Sequence, residues 1–392
     1  MSPIITSLLD NDIYKFTMMS FVHHYYPNTN VEIGFINRDK SRKFTQRFVD
    51  NLKLQVKHMG ELTLSDAELL FLLDLPLGEH SKFIKFLKTF KLNSDQVDIG
   101  LTSENDLVIT IRGKWKDVIL WEVPLMATIS ELYFKNELSP GETYFKQSEK
   151  IKNKIKFWEK NNSKILEFGT RRRFSKISQQ AAIQCMANSD CVIGTSNINF
   201  AMKYNIPVKG TIAHELIMGI SSLEGIRHAN RHALEMWSEY WNGNDLLTAL
   251  PDTYGTCVFL NDFNETMSNL WTGVRHDSGC PFKFVDLLLD HYTSYGISPN
   301  NKTLVFSNGL KFNEVPDIQS YAEAAGFFNV AFGIGTNITN DFEGIQPLNM
   351  VIKLFKCDGL DVVKLSDDPG KAMGTLDAIR VAKYLTKGTP LD

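Results

Sequence analysis

Residues 271–277 read WTGVRHD and residues 302–308 read KTLVFSN. Each is a short apolar run that ends in polar residues, and a helical segment lies between them. The same pattern recurs as KILEFG (164–169), CVIGTS (191–196), IPVKGTIA (206–213), LLTALPD (246–252) and VAFGIGT (330–336). Seven apolar runs alternating with helical segments predict an α/β fold built on a parallel sheet. That number favours a closed or nearly closed α/β barrel over an open doubly wound sheet.

The flanking segments differ. SDAELLFLLDL (65–75) reads as a helix with Ser65 as N-cap and acids in its first turn. DLVITIRGKWKDVILWEVPL (106–125) reads as two strands around Gly113, a β-hairpin. GETYFKQSEKIKNKIKFWEK (141–160) reads as a long helix with one strongly charged face. Near the end, VIKLFKC, a DG turn and LDVVKLS (351–366) form a second hairpin. A parallel barrel has no need of this hairpin, so it is expected to pack on the N-terminal region and make the first domain discontinuous.

The 392 residues are 43% hydrophobic and 22% charged, with a net charge of -3. This is globular composition, and no basic stripe marks a nucleic-acid binder. Five scattered cysteines without CxxC spacing argue against a disulfide framework or a structural zinc site. MSPIITSLLDND lacks a basic region and a sustained apolar core, so a cytoplasmic protein with reduced thiols is expected.

Chemistry gathers where the runs end, the active edge of parallel α/β folds. Glu167 is followed by Arg171, Arg172 and Arg173, and three consecutive guanidinium groups suggest anion recognition. Thr195 and Ser196 end the second run; Thr211 and His214 end the third; Asp252 and Thr253 end the fourth. Arg275, His276 and Asp277 end the fifth, Ser307, Asn308 and Gly309 the sixth, and GIGTN (333–337) the last. The two Gly-and-hydroxyl loops could cradle a phosphate on backbone N–H groups. Asp277 and Asp252 could meet Mg²⁺ or positive charge at a sugar carbon, or cap the helices that follow. His228 and His232 have metal-compatible spacing, but flanking arginines read as a solvated face. No Walker A or dinucleotide glycine motif is present. For His214, a metal role fades for want of a second ligand at fitting spacing; local sequence leaves general base and phosphoacceptor both open.

LLDNDIYKFTM, EFGTRRRFS, GTIAHE, TGVRHDSG, FGIGTN and KLSDDPGK occur in this order, and the set resembles nicotinate phosphoribosyltransferase from about residue 8 to about residue 372. The resemblance implies an irregular parallel α/β barrel (136–345) with an α/β sandwich domain built from residues 1–135 and 346–392. It implies transfer from 5-phosphoribosyl pyrophosphate (PRPP) to nicotinate, with Mg²⁺, ATP as co-substrate, and a homodimer sharing its active sites. Carried over, His214 is the phosphoacceptor, with Glu215 beside it. Thr211 contacts the pyridine, Tyr14 stacks on it, and Arg275 meets the carboxylate. Arg171 and Arg172 face PRPP or carboxylate, Asp277 lies near the ribose, and Gly335 and Thr336 belong to the 5-phosphate loop; Ser307 and Gly309 of the SNGL loop are read from the residues themselves as substrate-binding. No protein metal ligand is assigned. Two departures stand out: Cys280 in DSGCP and Asn308 in FSNGL occupy positions where acids are frequent. The alternatives are transfer to nicotinamide or quinolinate without ATP, or a phosphosugar isomerase or lyase on a similar barrel.

Overall fold

The computed structural model describes residues 2–242 and 246–386. The chain folds into two compact units. One runs up to Gly210 and adds Ile334–Lys353; the other holds Thr211–Gly333 and the residues from Leu354 onward.

In the first unit β1 (Asn30–Asn37), β2 (Val97–Leu101) and β3 (Leu107–Lys114) form an antiparallel sheet. Ile111 of β3 lies opposite both Ile33 and Val97. Along β3 the residues alternate buried and accessible, the pattern of a half-covered sheet. β4 (Ile165–Glu167) and β5 (Val192–Thr195) pair in parallel. The helix Asp66–Leu73 starts at Ser65, whose side chain accepts from the Glu68 N–H while Glu68 reaches back, a capping box. The long helix Pro140–Lys160 starts the same way at Ser139.

Among the described residues the second unit carries the parallel strands β6 (Thr248–Ala249), β7 (Gly273–His276), β8 (Thr303–Phe306) and all but the last residue of β9 (Asn329–Ile334), in the order β9-β8-β7-β6. The helix Pro281–Ser294 joins β7 to β8 and the helix Val315–Ala324 joins β8 to β9, the repeating unit the sequence predicts. β10 (Met350–Cys357) lies beside β1 in the strand order, and Arg38 donates to the Asn349 carbonyl at 2.8 Å. Its last residues turn at Asp358 and Gly359, both at positive φ, into the two-residue β11 (Leu360–Asp361). The DG turn therefore makes its hairpin, with a very short second strand.

Two sequence expectations are corrected. The segment after Gly113 is no strand: Trp115–Val118 and Glu122–Phe134 are helical, and β3 finds its hairpin partner upstream in β2. Trp115, Val118, Ile119, Leu120, Trp121 and Val123 are all buried. A segment covered on every side has no amphipathic stripe, so its sequence does not separate helix from strand. The third run, IPVKGTIA, makes only an isolated bridge from Val208 to Thr195. Pro207 can accept but not donate, and Gly210 packs so closely on Ile13 that a Cβ there would lie 2.5 Å from its Cγ2. Thr211 and His214 thus follow an irregular segment, and the helix His214–Glu224 begins at His214 itself.

Candidate active site

Register places the reactive groups of the second unit. Ala249 of β6 lies opposite Val274 of β7, so Asp252 and Asp277 each stand three residues beyond a paired position. His276 lies opposite Phe306 of β8, so Asp277 and Ser307 are the next residues on neighbouring strands. Parallel strands bring their C-terminal ends to one edge, and Ser307 Oγ donates to Asp277 Oδ1 at 3.0 Å.

His214 meets this edge from the start of its helix. Its Nε2 lies 2.6 Å from Asp252 Oδ1 and 3.9 Å from Asp277 Oδ2. The Nε2–H tautomer satisfies this contact, since a carboxylate only accepts, and it puts the lone pair on Nδ1; in that tautomer the Lys364 ammonium, which only donates, pairs with Asp252 and makes no hydrogen bond to Nε2. The second Asp252 oxygen takes Ser278 Oγ at 2.6 Å, Lys364 Nζ at 3.1 Å and Ser366 Oγ at 3.3 Å. Lys364 Nζ also lies 3.0 Å from His214 Nε2. His214, Asp252 and Lys364 are all buried. Burial, reinforced by Lys364 and opposed by Asp252, lowers the imidazole from 6.5 to about 4. Burial alone would raise the Asp252 carboxyl, but His214, Lys364 and Ser278 outweigh it and hold it well below its ordinary range. The ring is therefore neutral at pH 7, the nucleophilic form.

Arg275 Nη1 donates to Thr211 Oγ1 at 2.5 Å, and its Nη2 lies 3.9 Å from Asp277 Oδ1. Burial would raise Asp277, but Arg275 keeps it below its ordinary value. Glu215 is buried behind His214, near Cys357, whose thiol is pushed up by burial and then by the Glu215 charge. It is Asp252 that holds the imidazole.

Residues 364–373 strap this edge. Lys364 and Met373 bridge each other, and the Leu365 N–H donates to the Thr253 carbonyl at 2.8 Å, past β6. Asp367 accepts from Thr256 N–H at 2.9 Å and Oγ1 at 2.6 Å. The Gly279 N–H, past β7, donates to Asp368 at 3.1 Å, and Lys371 Nζ reaches Asn308 Oδ1, past β8, at 2.8 Å. One segment thus ties three consecutive strand ends. Asn308 serves as an acceptor for Lys371 and needs no charge to do so. Cys280 is exposed and lines a cavity of about 260 Å³ with Cys257, Lys283 and Asp367.

The first unit holds the remaining expected residues. The Arg171 guanidinium lies 6.0 Å from the Tyr14 ring centroid, and its Nη1 is 3.4 Å from Glu122 Oε1. Burial, ahead of the neighbouring charges, pushes the Tyr14 phenol far up, so the ring stays neutral. Arg172 offers its carbonyl to Asn340 at 2.9 Å. Arg173 is fully buried in a two-pronged pair with Asp10, at 2.8 and 3.0 Å. Gly335 packs on the Phe168 carbonyl, 3.1 Å from where a Cβ would stand, just before Thr336. His228 lies outside the helix that carries His232 and pairs with Asp262 at 2.9 Å.

Comparison with known proteins matches this architecture. The nicotinate phosphoribosyltransferase (NAPRTase) family model covers residues 163–387, and the model of that family's N-terminal domain covers residues 9–130. The chain belongs to the nicotinate phosphoribosyltransferase family. A relative of that name from Methanosarcina mazei is 41% identical over 99% of this chain and 100% of its own. Another, from Burkholderia mallei, is 39% identical over 94% of this chain and 93% of its own. The crystal structure of nicotinate phosphoribosyltransferase from Porphyromonas gingivalis superposes with a TM-score of 0.93, at 33% identity over 98% of this chain and 100% of that one. That from Vibrio cholerae gives 0.90, at 36% identity over 99% and 95%.

Against this family background the acidic cluster can be tested for a metal. His214, Asp252 and Asp277 offer ligand atoms within 4.8 Å of one another. Yet Lys364 already places its ammonium at that point, and one of the three donors is an imidazole nitrogen. Mg²⁺ asks for oxygen ligands in near-octahedral order, so this cluster does not fit it. Lys364 and the strap escaped the sequence reading. Their signal, KLSDDPGK, was visible, but nothing local says that a segment 112 residues beyond Asp252 returns to it.

The depressed imidazole has a consequence for stability. As pH falls, the unfolded chain takes up the His214 proton near 6.5, but the folded chain only near 4. The contribution is full above pH 6.5 and is lost toward pH 4. Denaturant midpoints measured across that window should fall less steeply for His214→Asn than for the wild type.

Proposed function

We propose that this chain joins nicotinate to PRPP, giving nicotinate mononucleotide and pyrophosphate, with ATP hydrolysed through a phosphorylated His214. The observation that carries this reading is the placement of the His214 imidazole against Asp252, with Asp277 and Arg275 beside it at one edge of the parallel strands. The lone pair on Nδ1 attacks the γ-phosphorus of ATP and ADP leaves; after turnover water cleaves the P–N bond and inorganic phosphate departs. The phosphoryl group brings negative charge to an edge where Arg275 and Lys364 supply the cations.

At the anomeric carbon the work is positional and electrostatic. Asp277, held ionised by Arg275, offsets positive charge developing on the ribose. Arg275 reads the nicotinate carboxylate and Thr211 contacts the pyridine. In the first unit Tyr14 offers an aromatic face, Arg171 and Arg172 offer cations, and Gly335 with Thr336 offers backbone N–H groups to a phosphate. In the second unit Ser307 and Gly309 border the end of β8, with their own N–H groups donating to the His276 and Ser307 carbonyls. Mg²⁺ is assigned to the substrate phosphates and not to a protein cage. The irregular barrel, the domain division 1–135, 136–345 and 346–392, the homodimer with shared sites and the cytoplasmic location belong to the same proposal. Among the described residues no helix is long and apolar enough to cross a membrane.

The test is mass detection of nicotinate mononucleotide from nicotinate and PRPP, with and without ATP, beside nicotinamide and quinolinate as acceptors. Product from nicotinate that rises with ATP is expected; equal or better turnover of another pyridine, or PRPP-independent turnover, would sink the reading. Arg275→Gln should raise KM for nicotinate about 10- to 100-fold, the worth of a charge-assisted hydrogen bond. Any loss through Asp277 or Thr211 falls on nicotinamide as well, so the ratio of the two kcat/KM values isolates the carboxylate contact.

A further inference from the structure

We infer that Lys364 is a positioning residue for His214: its ammonium neutralises Asp252, so the carboxylate holds the ring through one proton and does not draw a second. The geometry divides Asp252 between two tasks. Oδ1 faces His214 alone, at 2.6 Å. Oδ2 is taken by Lys364 at 3.1 Å, with the Ser278 and Ser366 hydroxyls. A buried carboxylate facing an imidazole without another cation would stabilise the imidazolium, which has no lone pair to attack with. With Lys364 present, the buried group of neutral His214, Asp252 and Lys364 sums to zero charge.

Burial already opposes the imidazolium, and Lys364 adds to it against the pull of the nearby carboxylates. From beyond β7, Asp277 faces the ring at 3.9 Å, but Arg275 stands against its other oxygen. On the same helix Glu215 follows, with its charge felt at Cys357. Lys364 arrives on the strap, where it and Met373 exchange backbone hydrogen bonds at 3.0 and 2.8 Å, so its position is set by main chain as well as by charge. The strap thereby couples the protonation of His214 to the same segment that ties β6, β7 and β8 at Thr253, Gly279 and Asn308. The catalytic meaning of this control rests on His214 as phosphoacceptor; the control of the ring proton itself does not.

The experiment is a ¹⁵N titration of histidine-labelled full-length protein, read beside labelling by γ-phosphate-labelled ATP from pH 5 to 9. Wild type, Lys364→Met, Lys364→Gln and Lys364→Arg are compared. In the wild type the His214 ring should stay neutral down to about pH 5. In Lys364→Met and Lys364→Gln it should titrate at a higher pH than in the wild type, because burial still opposes the imidazolium but the ammonium no longer does. Their labelling rate should then fall below that of the wild type at the acid end of the range and recover as pH rises. Lys364→Arg should restore the wild-type profile. Lys364→Gln keeps a donor to Asp252 and carries the test should Lys364→Met not fold. An unchanged ring titration in the neutral variants, or no rescue by arginine, would overturn the inference. A shifted ring titration with no label on wild-type protein would support it and instead defeat the phosphoacceptor reading.

Discussion

His214→Ala is expected to abolish the acid-labile label that γ-phosphate-labelled ATP leaves on the wild-type protein. It should also remove the stimulation of nicotinate mononucleotide formation by ATP and lower kcat/KM with ATP present by about 10²-fold or more, as when one positioned reactive group is lost. The structural reason is that no neighbour can substitute. Asp252 and Lys364 are both buried and committed to each other at 3.1 Å. Asp277 already accepts from Ser307 and is held ionised by Arg275. Turnover without ATP should change much less, because alanine removes the phosphoacceptor and leaves Arg275 and Asp277 in place. Acid-stable label, or label that persists in the alanine protein, would end the phosphohistidine reading. His214→Asn distinguishes the loss of the nucleophile from the loss of the contact to Asp252, since its amide can still donate to the carboxylate.

How far the sequence reaches is set by which forces are local. The parallel repeat was legible because WTGVRHD and KTLVFSN are bounded apolar runs around a helix, and β7, β8 and their connecting helix follow that pattern. From register alone Asp252, Asp277 and Ser307 come level, so part of the reactive edge is implicit in where the runs stop. The helix after Gly113 was not legible, because the apolar residues from Trp115 to Val123 are all buried and show no periodic stripe. Lys364 was not legible either: what makes it part of the site is closure of a long loop, a tertiary event that leaves no mark on the residues around it. The contact of Asp252 with His214 is of the same kind, since 38 residues separate the two in sequence.

Arg173→Met is expected to destabilise the fold by about 3–5 kcal/mol, the cost of leaving a buried charge without its partner. The arginine run 171–173 suggested anion recognition as a group, yet its members stand in different surroundings. Arg171 keeps a side-chain exposure of 37%, and its contact to Glu122 is 3.4 Å, while Glu122 also holds Lys15 at 2.5 Å. Because Glu122 keeps a cation when Arg171 is lost, the loss should cost under about 1 kcal/mol. Arg173 and Asp10 are both fully enclosed, and Asp10 is also held by Asn197 at 2.9 Å, with Lys176 at 3.5 Å. Burial works to raise the Asp10 carboxyl, but Arg173 outweighs it and brings it to about 2. A depressed carboxylate stabilises the fold above its unfolded value of 3.8, and that contribution is lost as pH falls toward 2. Without Arg173 only Lys176 and Asn197 still oppose the effect of burial, and the carboxyl rises. The deficit of the variant should therefore be largest at pH 7 and shrink as pH falls and Asp10 takes up a proton. Denaturant unfolding of wild type and Arg173→Met at pH 7 and pH 4 reads this directly. A deficit that does not change with pH would mean lost packing and not a stranded carboxylate. The double variant Asp10→Leu with Arg173→Met removes both charges and should recover much of the loss, whereas additive single effects would show that the two groups do not act as a pair.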